Sequence, residues 1–457
     1  MKKKISFWAV LCLMPAMMWA QNYNSNQSQF PAPTGGYGKI VRNWDDSLVV
    51  EAYAYSNGTQ FFLSDFSAFY GPLIISGINV SPIDSKLSVI LMNCHVNDMK
   101  ILDDKVFFCG SYNGNGVVGW FDINDFNLPP ILPKLYVFDT PSDCLQELNK
   151  LVVYRIDEQY KVVAIGYNNI NPIPPFSLHD NSCILEIDDI MAAPLSFNYY
   201  VIDRKPYPNE YIDDVVFTGD KVFFVGKINY ATSNAMPSIR VMDNLNSFAL
   251  STGFNTLYSF NYNSEMNGRV KAVATSLDDI CFAYIHPTLS GGYNTQVRMV
   301  NIISGVPTNF NLQEIANDEK DEIIDMTYLP YISKLVLLYP FTYTPTVDPK
   351  YLFLFPYNTV SYNADYTYFT NGVDYMSMDV YGQKNIVSVG GNNIYLQSVP
   401  SLLGTVCPNV DETKILVPDP SPATPISYTP TPILLRYTRA TPPLAVGGFG
   451  WNGVCGN

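Results

Sequence analysis

The stretch MKILDDKVFFCGSYNGNGVVGWFDI (Met99 to Ile123) places two apolar runs on either side of the polar turn Asp103-Asp104, and a third run after a turn rich in Gly and Asn. A second copy, DDVVFTGDKVFFVGKIN, spans Asp213 to Asn229. Runs rich in β-branched and aromatic residues, bounded by Gly, Asn and Asp, are typical of strands joined by tight turns. The pattern therefore predicts antiparallel hairpins, and its return along the chain predicts a repeat architecture.

The tight turn recurs at intervals of 52 to 61 residues along the chain. The seven copies are centred near Asp46, Asp104, Glu158, Gly219, Asp279, Tyr331 and Gln383. Each copy supplies a first strand, a second strand and weaker third and fourth runs, without helical periodicity, as in the units of a β-propeller. We therefore predict an all-β protein, a β-propeller of seven four-stranded blades. Six or eight blades stay open, because the insertion Leu73–Cys94 has no assigned place.

The first twenty residues read as an export signal, with three lysines ahead of the apolar run Ile5–Met18. We expect a signal peptide over 1–20, an N-terminal extended segment over 21–38, the propeller over 39–403, and a Pro-rich tail over 404–457. The tail is expected to pack on the propeller or to close it. Export would place the protein in the periplasm, on the cell surface or outside the cell.

The composition is acidic and aromatic. The chain has 27 basic and 41 acidic side chains, so removal of the three leader lysines gives a net charge of −17. Such a charge repels phosphate backbones, which argues against a nucleic-acid partner. No run after the leader is long and apolar enough for a membrane span. With 33 tyrosines, the surface favours a glycan or an extracytoplasmic protein as partner.

Of eight cysteines, seven would remain after removal of the leader. Export permits disulfides, and Cys407 and Cys455 could close the tail as a loop, whereas Cys281 lies in an apolar run typical of a buried thiol. No Cys or His spacing fits a zinc site. We expect no cofactor, with calcium as the alternative.

Over residues 40 to 400 the repeats resemble those of secreted bacterial β-propellers, in particular uncharacterised repeat proteins of Gram-negative bacteria. The chain lacks the WD dipeptide at a strand end, the kelch double glycine, the YWTD motif and the sialidase Asp-box. The resemblance implies the fold and export, and it carries over no functional residue.

Carboxylates recur where the chain enters the first strands. These positions hold Asp98, Asp213, Asp325 and Asp379, with Arg42 and Arg269 at comparable places. A ring of carboxylates at a channel mouth could hold calcium or supply the acid and base that act on a sugar. The alternative is that they are solvated turn residues, and the Asp-Asp pairs at 103–104 and 213–214 are interpreted as turn formers.

Aromatic and histidine side chains mark the loops between second and third strands. The candidate ligand-binding residues there are Tyr112, Tyr167, His179, Tyr230, His286 and Tyr293. Their rings could stack on sugars or on a partner's side chains. The alternative is chance, because a chain with 14% aromatic residues places rings in most loops.

The chain contains no G-x-S-x-G motif and no interpretable Cys–His pair, so no catalytic residue is predicted. We therefore expect an exported, non-catalytic β-propeller that binds a glycan or a protein through its loop face. Two alternatives stay open. One is a structural subunit of a cell-envelope assembly, and the other is a carbohydrate-active hydrolase or lyase that uses carboxylates at the channel mouth.

Overall fold

The computed structural model of the protein describes residues 25–29, 37–42, 48–55, 58–68, 80–127, 133–139, 145–168, 181–202, 209–229, 235–243, 245, 256–260, 266–287, 292–301, 307–316, 323–330, 333–339, 350–354, 363–368, 377–381, 385–390, 393–398, 412–416, 424–427, 431–432, 436–440, 444–447 and 454–455. These residues form β-strands and one short 3-10 helix, Ile123–Asn127.

The strands fall into units of four, numbered here in chain order. The described chain begins with β1 (Ser25–Gln29). Unit 1 contains β2 (Tyr37–Arg42), β3 (Leu48–Tyr55), β4 (Gly58–Ala68) and β5 (Val80–Met92). Unit 2 contains β6 (Cys94–Leu102), β7 (Lys105–Tyr112), β8 (Asn115–Asp122) and β9 (Lys134–Asp139). Unit 3 contains β10 (Leu145–Ile156), β11 (Gln159–Asn168), β12 (Asn181–Ile187) and β13 (Phe197–Ile202).

Unit 4 contains β14 (Asn209–Thr218), β15 (Lys221–Asn229), β16 (Met236–Met242) and β17 (Thr256–Ser259). Unit 5 contains β18 (Asn267–Ala274), β19 (Asp279–Pro287), β20 (Tyr293–Asn301) and β21 (Thr308–Ala316). Unit 6 contains β22 (Asp325–Leu329), β23 (Lys334–Tyr339), β24 (Lys350–Leu354) and β25 (Asn363–Tyr368). Unit 7 contains β26 (Ser377–Tyr381), β27 (Asn385–Gly390), β28 (Asn393–Ser398) and, from the N-terminus, β1.

Within every unit, consecutive strands pair antiparallel. In unit 7 the fourth place is taken by β1, which pairs with β28 from Ser25↔Gln397 to Gln29↔Asn393. Strands from the two ends of the repeat region therefore share one sheet. The predicted all-β class and its four-stranded antiparallel sheets are confirmed, and the arrangement is consistent with a β-propeller.

The first strands of the units contact one another in chain order, and β26 contacts β2, so the order returns to its start. Neighbouring first strands run in the same direction. Leu151 N donates to Asp98 near the middle of β6 and β10, and Arg155 Nη1 donates to Asp103 at their ends, over 3.0 and 2.9 Å. The first strands thus form a ring around a common centre.

A bulge in the first strand brings its backbone close to the second strand. In unit 2 the register of β6 against β7 shifts between Val96 and Asp98. The facing residue is Gly110, where a Cβ would lie 1.7 Å from the carbonyl oxygen of His95. Only glycine fits so close an approach, which explains why a glycine recurs at the end of the second strand.

Apolar side chains fill the space between neighbouring units. Phe61 of unit 1 packs on Phe108 and Phe121 of unit 2, with ring centroids 5.1 and 5.2 Å apart. Cys281 is a buried free thiol, as predicted. The other cysteines whose side chains are described, Cys94, Cys109 and Cys183, are also buried and free, so none of the four forms a disulfide. The pairing of Cys407 with Cys455 lies outside the described side chains.

The tail adds short strands to the outer edges of the units, in reverse order along the ring. They are β29 (Glu412–Leu416), β30 (Thr424–Ser427), β31 (Thr431–Pro432), β32 (Arg436–Ala440), β33 (Leu444–Gly447) and β34 (Val454–Cys455). β29 pairs with both β21 and β25, and the later strands pair with β17, β13, β9, β5 and β1 in turn. Prolines at 425 and 432 are compatible with these strands because they lie at sheet edges.

Candidate functional site

Lys39 of β2 lies between two carboxylates from different units. Its Nζ is 3.3 Å from Asp98 Oδ1 and 3.7 Å from Asp325 Oδ2. The contact with Asp98 is an ion pair without the alignment of a hydrogen bond. Because β26 of unit 7 contacts both β2 and β22, Lys39 reaches past unit 7 to Asp325 of unit 6. All three side chains are buried.

Each first strand has one polar residue at the position that Lys39, Asp98 and Asp325 occupy in theirs, and we call this set of residues the polar ring. Its members are Lys39, Asp98, Lys150, Asp214, Lys271, Asp325 and Ser377. Lysine and aspartate alternate from unit 1 to unit 6. The opposite charges balance, so the ring presents neither a strongly acidic nor a strongly basic centre.

Each aspartate of the polar ring accepts a hydrogen bond from the backbone of the following unit. The three pairs are Leu151 N to Asp98 Oδ2 at 3.0 Å, Ala272 N to Asp214 Oδ2 at 2.9 Å, and Met378 N to Asp325 Oδ2 at 2.9 Å. Hydrogen bonds to a charged acceptor are stronger than those between neutral groups. These carboxylates therefore tie neighbouring first strands together.

Asp98 and Asp325 stay ionised, because the pKa of each carboxyl is lowered. Burial alone would raise the pKa of Asp98, but the charges of Lys100 and Lys39 oppose it, and the pKa falls to about 2. Burial also acts against the charge of Asp325, yet neighbouring lysines, Lys39 foremost, hold its pKa well below the usual range. A general acid needs a raised pKa. Burial raises the pKa of the Glu186 carboxyl, but this residue lies on β12, a third strand.

All four predicted carboxylates lie within first strands rather than in the loops that enter them. Asp98 and Asp325 meet at Lys39, as described above. Asp213 is also buried, in the bulge of β14, so the interpretation of 213–214 as a turn is wrong. Asp379 is half-buried in β26, where its Oδ1 accepts the N–H of Val380 at 2.7 Å.

Two of the predicted residues, Tyr167 and Asp213, come together between units 3 and 4. The Tyr167 hydroxyl donates to Asp213 Oδ1 over 3.4 Å, and Asp213 Oδ2 accepts the N–H of Val270 at 3.2 Å. The guanidinium of Arg269 lies 5.8 Å from the centre of the Tyr167 ring, within the range of a cation–π contact. This cluster links the second strand of unit 3 to the first strands of units 4 and 5.

The other predicted aromatic residues lie at the ends of second and third strands. Tyr112 is the last residue of β7, His286 is in β19, and Tyr293 is the first residue of β20. All three are half-buried, and Tyr112 and Tyr293 pack partly against the apolar clusters of their units. His179 and Tyr230 lie outside the described residues. The strand ends thus carry rings with one part packed and another part exposed.

The sequence analysis did not identify the lysines of the polar ring, which are Lys39, Lys150 and Lys271. The available signal was periodic. When the first strands are aligned, lysine and aspartate alternate at one position, and Asp214 rather than Asp213 takes the place in unit 4. A buried lysine is rare unless it is paired, so the alternation was the informative feature.

Among the described side chains, no group of three or more His, Cys, Asp or Glu is arranged to hold a metal ion. Over the same part of the chain, no helix is long and apolar enough to cross a bilayer.

No protein-family model matches this chain, and no curated protein matches it. Solved structures that are similar to it include two of one enzyme. One is the Bombyx mori GH32 beta-fructofuranosidase BmSUC1, with a TM-score of 0.32 and 9% identity over 91% of this chain and 99% of the other. The second is a mutant of that enzyme in complex with sucrose, with a TM-score of 0.26 and 9% identity over 90% and 98%. Likeness at this level carries no argument about activity.

Proposed function

We propose that the protein is an exported, non-catalytic β-propeller that binds a glycan through the face where its second strands end. Its seven units would be the blades, and β1 would close the ring by completing the last one. The basic residues and apolar run at the N-terminus support export. The acidic composition and the aromatic content support a partner other than nucleic acid.

The observation that carries the non-catalytic part is the engagement of the ring aspartates. Asp98 and Asp325 each accept a backbone N–H from the next unit, and both face Lys39. A sugar hydrolase needs one protonated and one ionised carboxyl in the same pocket. The low pKa values of Asp98 and Asp325 leave neither of them able to donate a proton near neutral pH.

The binding part rests on the half-buried rings at the strand ends. Tyr112, His286 and Tyr293 lie where second strands end and third strands begin. An aromatic ring that is anchored on one side and open on the other can stack on the C–H face of a sugar with little loss of side-chain entropy. Several such aromatic side chains on one face would bind a polymer at more than one point.

Affinity electrophoresis through gels cast with different polysaccharides tests the proposal. We expect retardation in at least one gel, reduced by Tyr112→Ala or Tyr293→Ala. The matched control is Tyr328→Ala. This half-buried tyrosine lies near the end of the first strand β22, whereas the proposed face lies where second strands end. Uniform mobility across a broad panel, or equal retardation of all three variants, would contradict a glycan site on this face.

A further inference from the structure

Two cationic residues lie beside each other on the face where second strands end, which we call the strand-end face. Lys227 Nζ of β15 donates a hydrogen bond to the carbonyl oxygen of Gly268 in β18, and Arg269 is the next residue of that strand. The contact therefore brings a lysine of unit 4 next to an arginine of unit 5. Arg269 is exposed and Lys227 is half-buried, so a ligand in solution can reach both side chains.

Each of these cations lies near the ring of a tyrosine. Lys227 Nζ is 5.7 Å from the centre of the Tyr211 ring, and the Arg269 guanidinium is 5.8 Å from the centre of the Tyr167 ring. The hydroxyl of Tyr167 is fixed in turn, because it donates to the buried side chain of Asp213. A cation that already rests on an aromatic ring loses little further freedom when it binds an anion. We call Tyr167, Tyr211, Lys227 and Arg269 the cationic patch.

A similar arrangement at the other ends of the first strands is completed by the protein's own carboxylates. There the guanidinium of Arg155 lies 5.7 Å from the centre of the Tyr160 ring. Arg155 forms ion pairs with Asp103 and Glu158. In the cationic patch, by contrast, the acceptor that Lys227 meets is a neutral backbone carbonyl. An external carboxylate would complete the patch as the acidic side chains complete the surroundings of Arg155.

The net negative charge of the chain does not prevent an anion from binding here. The first strand of unit 4, β14, has 10 residues and so separates its two ends by about 30 Å. The Debye length at physiological ionic strength is about 8 Å, so carboxylates at the far end have little effect on the patch. Among the described residues, the turns between first and second strands hold exposed carboxylates at Asp103, Asp104, Asp157, Glu158, Asp220 and Asp278.

We propose that the cationic patch binds the carboxylate of a uronic acid residue, so that the ligand of the strand-end face is an acidic glycan. This inference rests on the glycan binding proposed above and names the class of glycan. The N–H groups of Arg269 match the two oxygens of a carboxylate, and Lys227 adds a second positive charge beside them. The rings of Tyr167 and Tyr211 hold the cations in place and offer apolar surface to the C–H groups of the sugar.

Affinity electrophoresis through paired gels tests this inference. The gels contain polygalacturonate, alginate or hyaluronate, each paired with its methyl ester, which removes the negative charge and keeps the sugar backbone. We expect the acid form of at least one polymer to retard the protein more than its ester does, and added salt should weaken the effect. Arg269→Gln and Lys227→Gln should each raise the dissociation constant for that polymer about tenfold, since each removes a charge-assisted hydrogen bond.

Arg155→Gln is the matched control. It removes an exposed arginine beside a tyrosine ring and changes the net charge equally, but at the other ends of the first strands, so retardation should stay unchanged. Equal weakening by Arg155→Gln and Arg269→Gln would assign the effect to net charge and overturn the site. Arg269 is exposed, so its variant still decides the question if Lys227→Gln fails to fold.

The remaining outcomes separate this inference from the proposed function. Retardation by neutral polymers alone, or equal retardation by the acid and ester forms, would overturn the cationic patch and leave glycan binding standing. Absence of retardation in every gel, neutral polymers included, would overturn both.

Discussion

The backbone N–H of Leu151 donates to Oδ2 of Asp98 over 3.0 Å, from the first strand of unit 3 to that of unit 2. The same link returns two units later, from Ala272 to Asp214. Every second unit therefore offers a buried carboxylate to the backbone of its successor. Because these acceptors are charged and shielded from water, they fix the spacing of the ring more firmly than neutral contacts would.

Replacement of Asp98 by asparagine should destabilise the protein strongly. Asp98→Asn keeps the shape of the side chain but removes one of the two carboxylates that face Lys39, and loss of a partner from a buried ion pair is costly. We expect the free energy of unfolding, measured by urea denaturation at pH 7, to fall by about 3 kcal/mol. Asp104→Asn is the control, since Asp104 is exposed in a turn with φ of 59° that asparagine adopts readily. Equal stability of the two variants would contradict the structural role of Asp98.

The protein should lose stability in acid through the same carboxylate. The pKa of Asp98 is about 2 in the folded protein against an ordinary value of 3.8, so its contribution is complete above pH 4 and is lost as the pH falls from about 4 to about 2. The loss should amount to about 2 kcal/mol. Thermal unfolding followed from pH 6 to pH 2 should show a shallower decline in Asp98→Asn. Parallel curves for the two proteins would refute this assignment.

Lys271 should make the stability of the protein depend on pH in the alkaline range, because folding disfavours its charged form. Its pKa falls from 10.5 to about 8 on folding, so the unfolded chain binds more protons between these values and stability should rise as the pH increases from 8 to 10.5. Lys271→Met should raise the free energy of unfolding at pH 7 by about 1–3 kcal/mol, because burial disfavours the ammonium more than the nearby carboxylates favour it, and an apolar group avoids that cost. Urea denaturation at pH 7 measures this change. A marked loss of stability would show that the ammonium has a favourable contact.

Tyr437 should anchor the tail where units 2 and 3 meet. Its ring lies 6.0 Å from that of Tyr136 and 5.8 Å from that of Phe197, and its hydroxyl accepts the N–H of Leu195 at 2.8 Å. Tyr437→Phe should lower the free energy of unfolding by about 1 kcal/mol and Tyr437→Ala by about 3 kcal/mol, through loss of the hydrogen bond and then of the ring. Denaturation curves of the two variants give both values. Wild-type stability of Tyr437→Ala would mean that the tail contributes nothing at this edge.

Local chemistry made the hairpins predictable. Asp103-Asp104 forms a two-residue turn with φ values of 50° and 59°, and Asp157-Glu158 forms another with 48° and 67°. Asparagine and aspartate tolerate this left-handed conformation, and the flanking β-branched residues favour strands. Both determinants act over a few residues, so a single sequence contains them.

The polar ring and the tail pairing could not be predicted in the same way, because they depend on neighbours that are distant in sequence. Asp213-Asp214 has the composition of a turn, yet Val270 and Ala272 of the next unit supply its hydrogen bonds and hold it in a bulged strand. The Pro-rich tail shows no strand pattern of its own. Its short strands, β30 (Thr424–Ser427) among them, form because each unit offers an open edge.

The central claim is that this propeller-like scaffold binds without catalysis, and one paired measurement tests it most directly. The protein is incubated with each polysaccharide of the panel, and retention on the polymer is measured together with the release of new reducing ends. We predict retention on at least one polymer, weakened by Tyr293→Ala, with no release of reducing ends above background. Release of reducing ends by the wild-type protein, abolished in Asp98→Asn or Asp325→Asn, would contradict the account and assign these carboxylates to catalysis.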